Sequence, residues 1–145
     1  GDIEVTAVSE AQGARAWRGG RVPHKHFVLG SWSGWTLQEM EPDMADLEVC
    51  RLHFSLPSEG FAYEERGTFQ IVVDGNQSKV LHPAFTGATP GQALVEGPDA
   101  SGGGLFWEVR GVPGQSFEVM LNLGAQDATK VVTCRPVRRL NRLPQ

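Results

Sequence analysis

Apolar and polar residues alternate along several short stretches of the chain, which is the pattern of half-buried β-strands. The clearest stretch covers residues 68–73, TFQIVV, whose odd-numbered apolar residues would face a core while Gln70 faces outward. Residues 74–76, DGN, follow it and favour a tight hairpin turn, because Asp, Gly and Asn tolerate left-handed backbone. The returning strand is then residues 79–82, so these two stretches are predicted to form a β-hairpin.

The same reasoning predicts about seven strands in total. In residues 48–56, for example, Cys50 and Phe54 share one face and Arg51 and His53 share the other. The predicted strands cover residues 26–29, 48–56, 68–73, 79–82, 105–109, 117–123 and 130–135. No long amphipathic helical pattern is present, so the sequence predicts an all-β fold, an antiparallel sandwich.

Three segments are predicted along the chain: an irregular N-terminal arm (1–26), the β-sandwich (27–137) and a basic C-terminal tail (138–145). In the arm, residues 3–7 alternate weakly and residues 11–21 are rich in Gly and Arg. Trp17 is the bulky side chain there, and we expect it to anchor the arm on the domain surface. For the arginine-rich tail, a solvated or docked segment and an acidic partner both remain open.

Composition supports a globular domain and limits its partners. The chain has 145 residues, 40% of them hydrophobic and 21% charged, which is enough for one domain with its own core. A net charge of −4 argues against general nucleic-acid binding, and no apolar run approaches the ~18 residues that a membrane span needs. The two cysteines, Cys50 and Cys134, could be free thiols or form one bridge.

Two tryptophans lie in a loop of small residues that follows the first predicted strand. Residues 28–35 read VLGSWSGW, and residues 69–75 read FQIVVDG and lead to His82-Pro83. These two motifs resemble those of starch- and glycogen-binding modules, which occur in amylolytic enzymes and in the β subunit of the AMP-activated kinase. The resemblance covers residues 27–83 and implies an immunoglobulin-like β-sandwich. It also implies that Trp32 packs into the sandwich and that Trp35 stacks on a sugar.

The resemblance, together with the predicted hairpin, gives a set of candidate ligand-binding residues. The set contains Trp35 and four polar residues around the predicted turn: Gln70, Asn76, Gln77 and Lys79. A sugar ring has an apolar C–H face that can cover an indole and a rim of hydroxyls that need hydrogen-bond partners. The family usually has a second stacking tryptophan after the Asp-Gly turn, where this chain has Asn-Gln-Ser.

Catalytic, metal and cofactor sites are not predicted. The carboxylates cluster in loops without partner histidines, and no Gly-x-Ser-x-Gly motif is present. His24 and His26 could face the same side of a strand, but no third metal ligand lies near them in sequence. The glycine run 101–104 lacks the Lys-Ser/Thr that follows a phosphate-binding loop. We therefore expect a non-enzymatic protein without a cofactor.

Two functions remain open at this point. The domain could bind an α-glucan such as starch or glycogen, weakly, through an exposed Trp35. Alternatively, it could be a protein-interaction or scaffold domain of a larger assembly that has lost sugar binding. The intact tryptophan loop favours the first function, and the missing second tryptophan favours the other.

Overall fold

The computed structural model describes residues 24–59 and 63–138. The predictions for Trp17, for the strand at residues 3–7 and for most of the basic tail fall outside these residues. Within them, the chain forms β-strands and two short 3-10 helices, Ser31–Ser33 and Ala128–Lys130. Neither described helix has the length or the apolar character that a membrane crossing requires.

The first sheet contains six strands. They are β1 (His26–Gly30), β2 (Leu37–Glu39), β5 (Glu65–Val73), β6 (Val80–Pro83), β7 (Val95–Asp99) and β8 (Trp107–Gly111). Their order is β2-β1-β5-β6-β7, with every pair antiparallel. The strand β5 is long enough to pair with β1 on one side and with both β6 and β8 on the other. It is therefore the centre of this sheet.

The second sheet contains four strands, in the order β10-β9-β4-β3. They are β3 (Glu41–Pro42), β4 (Val49–Ser55), β9 (Ser116–Asn122) and β10 (Val132–Pro136). The predicted all-β fold is confirmed, with ten strands among the described residues rather than about seven. The additional strands are β2, β3 and β7, all at sheet edges. The immunoglobulin-like type of sandwich stays a prediction.

The core consists of side chains that the two sheets direct toward each other. On the first sheet, Phe69 of β5 lies opposite Trp107 of β8, with ring centroids 5.4 Å apart and both side chains fully buried. On the second sheet, Val119 and Leu121 of β9 are also fully buried. Burial of such side chains is the main favourable contribution to folding. Trp107 therefore belongs to the core.

Trp32 fills the space between the sheets at the end of β1. Its ring stacks on Phe54, with centroids 3.7 Å apart and planes 9° apart. Its Nε1 donates to Gln38 Oε1 at 2.9 Å. A side chain at Gly30 or Gly67 would collide with this indole, since an added Cβ would lie 2.6 Å or 2.8 Å from ring atoms. As expected, Trp32 serves the fold.

Cys50 and Cys134 are both free thiols. Cys50 is buried beside Met40, with the two sulfur atoms 3.8 Å apart. Burial raises the pKa of the Cys50 thiol to about 11 and that of Cys134 to about 12. Because thiolates are the reactive form, both cysteines are expected to be chemically inert at neutral pH.

The packing of Trp32 leads to a stability prediction. Trp32→Ala should lower the free energy of unfolding by about 3 kcal/mol, because it empties a space between the two sheets and removes the stack on Phe54. Trp35→Ala, a chemically identical change three residues later, should cost about 1 kcal/mol or less. Urea denaturation of both variants measures the difference. Equal losses would contradict the assignment of Trp32 to the core.

His26 leads to a pH prediction. It lies on the core-facing side of β1 with Val28, and burial, aided by His24, lowers its pKa to about 4. The unfolded chain, with an ordinary histidine pKa of about 6.5, binds the proton more readily. The contribution of His26 to the free energy of unfolding is therefore fully present above about pH 6.5. It declines by about 3 kcal/mol as the pH falls to about 4.

The measurement is the free energy of unfolding at several pH values for the wild type and His26→Asn. The difference between the two proteins should change across this interval, because the variant cannot take up the proton. Val112→Ala, a change at an exposed residue without a titratable group, should retain the wild-type profile. A pH-independent difference between wild type and His26→Asn would contradict the assignment.

Candidate functional site

The loop after β1 is closed by its own hydrogen bonds and presents Trp35 at its end. The Trp35 N–H donates to Gly30 O at 3.0 Å, and Thr36 N–H donates to Ser33 O at 3.3 Å. The Ser33 hydroxyl lies within hydrogen-bond distance of the carbonyl oxygens of Gly30 and Thr36. Because Trp32 packs between the sheets and β2 begins at Leu37, the chain must reverse within four residues. Gly34 contributes to this reversal with left-handed backbone, φ +66°.

Trp35 also has left-handed backbone, with φ +63°. This conformation is rare for a bulky residue and costs on the order of 1–3 kcal/mol. The side chain remains 44% exposed, so the strain is not offset by full burial of the ring. A strained, exposed aromatic residue is a feature of functional sites, and this observation points to Trp35.

Phe106 is the second aromatic residue of the site, and the sequence analysis did not identify it. Its ring centroid lies 5.2 Å from that of Trp35, with the planes tilted by 54°. The two rings together form what we call the Trp35–Phe106 surface. A signal for Phe106 was present in the sequence, because Leu105, Trp107 and Val109 share one face of the predicted strand 105–109 and the aromatic residue at 106 must face the other way.

An apolar strip made of Phe27, Leu29 and Leu37 lies on the outer face of the first sheet. The register places Leu37 of β2 opposite Leu29 of β1, and Phe27 lies two residues before Leu29 on the same face. A Cβ added at Gly75 would lie 3.8 Å from Leu37 Cδ1 and 3.9 Å from Phe27 Cε1. The Asp-Gly turn at Gly75 therefore lies beside Phe27 and Leu37, and Leu37 follows Trp35 by two residues.

Gln70 faces the outer side of the sheet, as the alternation predicted, but this side is covered. Its side chain is 5% exposed, and Nε2 donates to the carbonyl oxygens of Gly102 and Leu105. The covering segment, residues 99–106, connects β7 to β8. Gln70 thus holds this loop on the sheet and does not present its amide to solvent.

The other polar candidates, Asn76, Gln77 and Lys79, are exposed on the connection between β5 and β6. Asn76 Oδ1 accepts hydrogen bonds from the Ser78 N–H at 2.9 Å and the Ser78 hydroxyl at 2.7 Å, so it also shapes the turn. Residues 76–78 contain no aromatic ring at the place where the family usually has one. The binding roles of Trp35, Asn76, Gln77 and Lys79 stay predictions.

Charged groups surround the turn beside the apolar strip. Asp74 accepts the Lys25 N–H at 2.9 Å and lies 2.7 Å from His24 Nδ1. Burial alone would raise the pKa of Asp74, but these hydrogen bonds outweigh it and lower the pKa. Among the described residues, no group of three or more His, Cys, Asp or Glu side chains could hold a metal ion.

The outer face of the second sheet carries a separate polar cluster. Glu118 lies 2.9 Å from His53 Nε2 and 3.0 Å from Arg135 Nε, and Arg51 lies 2.7 Å from Asp43. Burial alone would raise the pKa of Glu118, but His53 and Arg135 outweigh it and lower the pKa. A surface depression of about 280 Å³ adjoins this cluster. These charges pair with one another across neighbouring strands.

Comparison with known proteins gives one structural neighbour. No family model matches the sequence, and no curated protein matches it. A search of solved structures found the crystal structure of SusF from Bacteroides thetaiotaomicron, at a TM-score of 0.51 and 18% sequence identity. The match covers 76% of this chain and 23% of the SusF chain. At this identity the likeness concerns the fold, a β-sandwich.

The left-handed backbone of Trp35 leads to a prediction about stability. Trp35→Asn and Trp35→Val both remove the indole, but Asn tolerates φ near +60° whereas a β-branched residue does not. The Asn variant should therefore be more stable than the Val variant by about 1–2 kcal/mol. Thermal or urea denaturation measures this difference, and equal stability would contradict the backbone assignment.

Proposed function

We propose that this domain is a non-catalytic carbohydrate-binding module that binds α-glucan weakly through Trp35, with Phe106 beside it. The observation that carries the proposal is the combination of exposure and strain at Trp35. The chain holds this indole in left-handed backbone, 44% exposed, against a second aromatic ring. A side chain that served only packing would have little reason to be fixed in this way.

The chemistry of the surface suits a sugar. The exposed indole face can be covered by the C–H groups of a glucose ring, and the tilted Phe106 ring can contact a neighbouring unit of a curved chain. Asn76, Gln77 and Lys79 offer amide and ammonium groups for hydroxyls near the apolar strip. The N–H groups of Lys79 and of the two amides can donate, and the amide oxygens can accept.

The expected affinity is low. Burial of one indole face contributes about 1–3 kcal/mol, and the second aromatic ring is half-buried already. A dissociation constant of 1 mM corresponds to about −4.1 kcal/mol, and we place the site near that value. Such a site becomes effective on a polymer, where many equivalent sugar units are available.

The fold and the sequence motifs support the same conclusion. SusF is similar to this chain in fold, and the tryptophan loop and the Val-Asp-Gly strand resemble starch- and glycogen-binding modules. The structural likeness supports the β-sandwich fold, and both the carbohydrate-binding role and the choice of α-glucan come from the motif resemblance.

A protein-interaction or scaffold role is the second candidate. One observation favours it: Phe85 and Leu94 are 58% and 54% exposed, and they lie on adjoining parts of the chain because Ala84 N–H donates to Leu94 O at 3.1 Å. Exposed apolar side chains that lie together are typical of protein contacts. This pair is distinct from the Trp35–Phe106 surface.

Gel electrophoresis in the presence of amylose or glycogen tests the proposed function. The wild type should be retarded relative to a polysaccharide-free gel. Trp35→Ala should abolish most of the retardation, and Phe106→Ala should reduce it, because each removes part of the sugar-contacting area. Tyr63→Ala is the matched control, since Tyr63 is an aromatic side chain that is 96% exposed before the start of β5.

Retardation that is lost in the Trp35 and Phe106 variants and retained in the Tyr63 variant would support glucan binding. Unchanged mobility of the wild type in both polysaccharides would contradict it. Retardation that Trp35→Ala leaves intact would place any glucan site elsewhere on the protein. The scaffold role becomes the better explanation if the wild type is not retarded in either polysaccharide.

A further inference from the structure

The loop that carries Phe106 lies directly on a buried histidine. His82 of β6 is 2% exposed, and Gly102 of the loop packs against its ring. A Cβ added at Gly102 would lie 2.5 Å from His82 Cδ2, so a residue with a side chain cannot occupy this position without a shift. The loop 99–106 therefore depends on the position of the His82 imidazole.

Both ring nitrogens of His82 face oxygen atoms. Nδ1 lies 2.9 Å from the carbonyl oxygen of Pro83, and Nε2 lies 3.0 Å from Asp99 Oδ1. A carbonyl oxygen and an ionised carboxylate can only accept hydrogen bonds, so each ring nitrogen must donate one. Only the doubly protonated imidazolium satisfies both contacts. A neutral ring would direct a lone pair at one of the two oxygens.

Asp99 links this histidine to the loop. The same Oδ1 atom accepts the Ser101 N–H and the Ser101 hydroxyl, each at 2.9 Å. These two hydrogen bonds, followed by the one from His82, lower the pKa of Asp99, so this residue is a carboxylate at neutral pH. The start of the loop is thus fixed through Asp99, which also contacts His82.

The rest of the loop is fixed by Gln70 and ends at Phe106. The strands β5 and β6 pair Val72 with Val80 and Ile71 with Leu81, and extending this register by one residue places Gln70 beside His82. The Gln70 amide holds Gly102 and Leu105. The Phe106 N–H then donates to Thr86 Oγ1 at 3.3 Å. A shift of the loop at Asp99 or Gly102 would be transmitted to the Phe106 ring, because only a few residues separate them.

We propose that His82, as an imidazolium held between Pro83 and Asp99, is a positioning residue that fixes the Phe106 ring against Trp35. The positioning itself is a property of the free protein. Its consequence for glucan affinity rests on the proposed function.

The direction of the pH effect follows from the hydrogen bonds. An imidazole with one ring proton can donate only one of the two hydrogen bonds, so loss of the second proton leaves the loop held less firmly. The ionisable groups that face His82 are on β7: Asp99, which contacts it, and Glu96, which lies opposite it in register and is exposed. Both of these groups are carboxylates, and the neighbour on β5, Gln70, is uncharged.

The test is an NMR titration of the free protein from about pH 5 to about pH 9, which brackets ordinary histidine titration. The Phe106 backbone amide and the Trp35 indole N–H are the reporters. In the wild type both signals should shift together in a one-proton transition. In His82→Gln the transition should be absent from both signals, whereas His53→Gln, on the other sheet, should retain it.

A second variant keeps the inference testable if His82→Gln does not fold. Asp99→Asn keeps the imidazole but removes the carboxylate, so the Phe106 and Trp35 transition should move to lower pH. Wild-type signals that do not respond to pH, or a transition that persists in His82→Gln or does not move in Asp99→Asn, would overturn the inference.

Glucan titrations separate this inference from the proposed function. If the Phe106 transition depends on His82 and the wild type binds maltoheptaose, affinity should fall several-fold as the pH rises through the transition. If the transition depends on His82 but no maltoheptaose binds at any pH, the positioning role stands and the proposed function fails. Glucan binding with a His82-independent transition would overturn the positioning role alone.

Discussion

The structure depends on one packing interaction, the stack of Trp32 on Phe54 between the two sheets. The indole fits there because Gly30 and Gly67 have no side chains to collide with it. Since this partly buried ring is fixed between the sheets, the chain has only four residues, 33–36, in which to reverse before β2. Left-handed backbone at Gly34 and Trp35 makes that reversal and leaves the second indole at the surface. Core packing thus determines where the functional candidate lies.

Much of the fold could be predicted from the sequence, because its longer strands alternate clearly. Strands β4, β5 and β9 were predicted with bounds close to those observed. The strands that were missed, β2, β3 and β7, are edge strands of two to five residues. Edge strands this short show little alternation, and their pairing is decided by the neighbouring strand. The packing of Trp32 into the sandwich was predicted from the motif resemblance, whereas the sugar-stacking role of Trp35 stays a prediction.

The composition of the candidate site could be predicted only in part. Local alternation correctly placed Gln70 on the outer side of β5, but it could not show that a loop from thirty residues later covers that side. The same loop brings Phe106 to Trp35, across a separation of about seventy residues. Such contacts depend on tertiary structure, and here on buried polar groups, Gln70 and His82, whose partners are backbone carbonyls and one carboxylate. The sequence predicts a site with one tryptophan. The structure adds the Phe106 ring beside Trp35, on a loop that the buried side chains of Gln70 and His82 hold in place.

A chemical-shift titration of the ¹⁵N-labelled protein with maltoheptaose tests whether the Trp35–Phe106 surface binds α-glucan. If it does, the largest changes should occur at the Trp35 indole, the Phe106 amide and Leu37, with smaller changes at Asn76, Gln77 and Lys79. Residues on the outer face of the second sheet, such as His53 and Arg135, should not respond. Saturating maltoheptaose without changes at Trp35 and Phe106, or with changes centred on the second sheet, would show that this surface is not the glucan site.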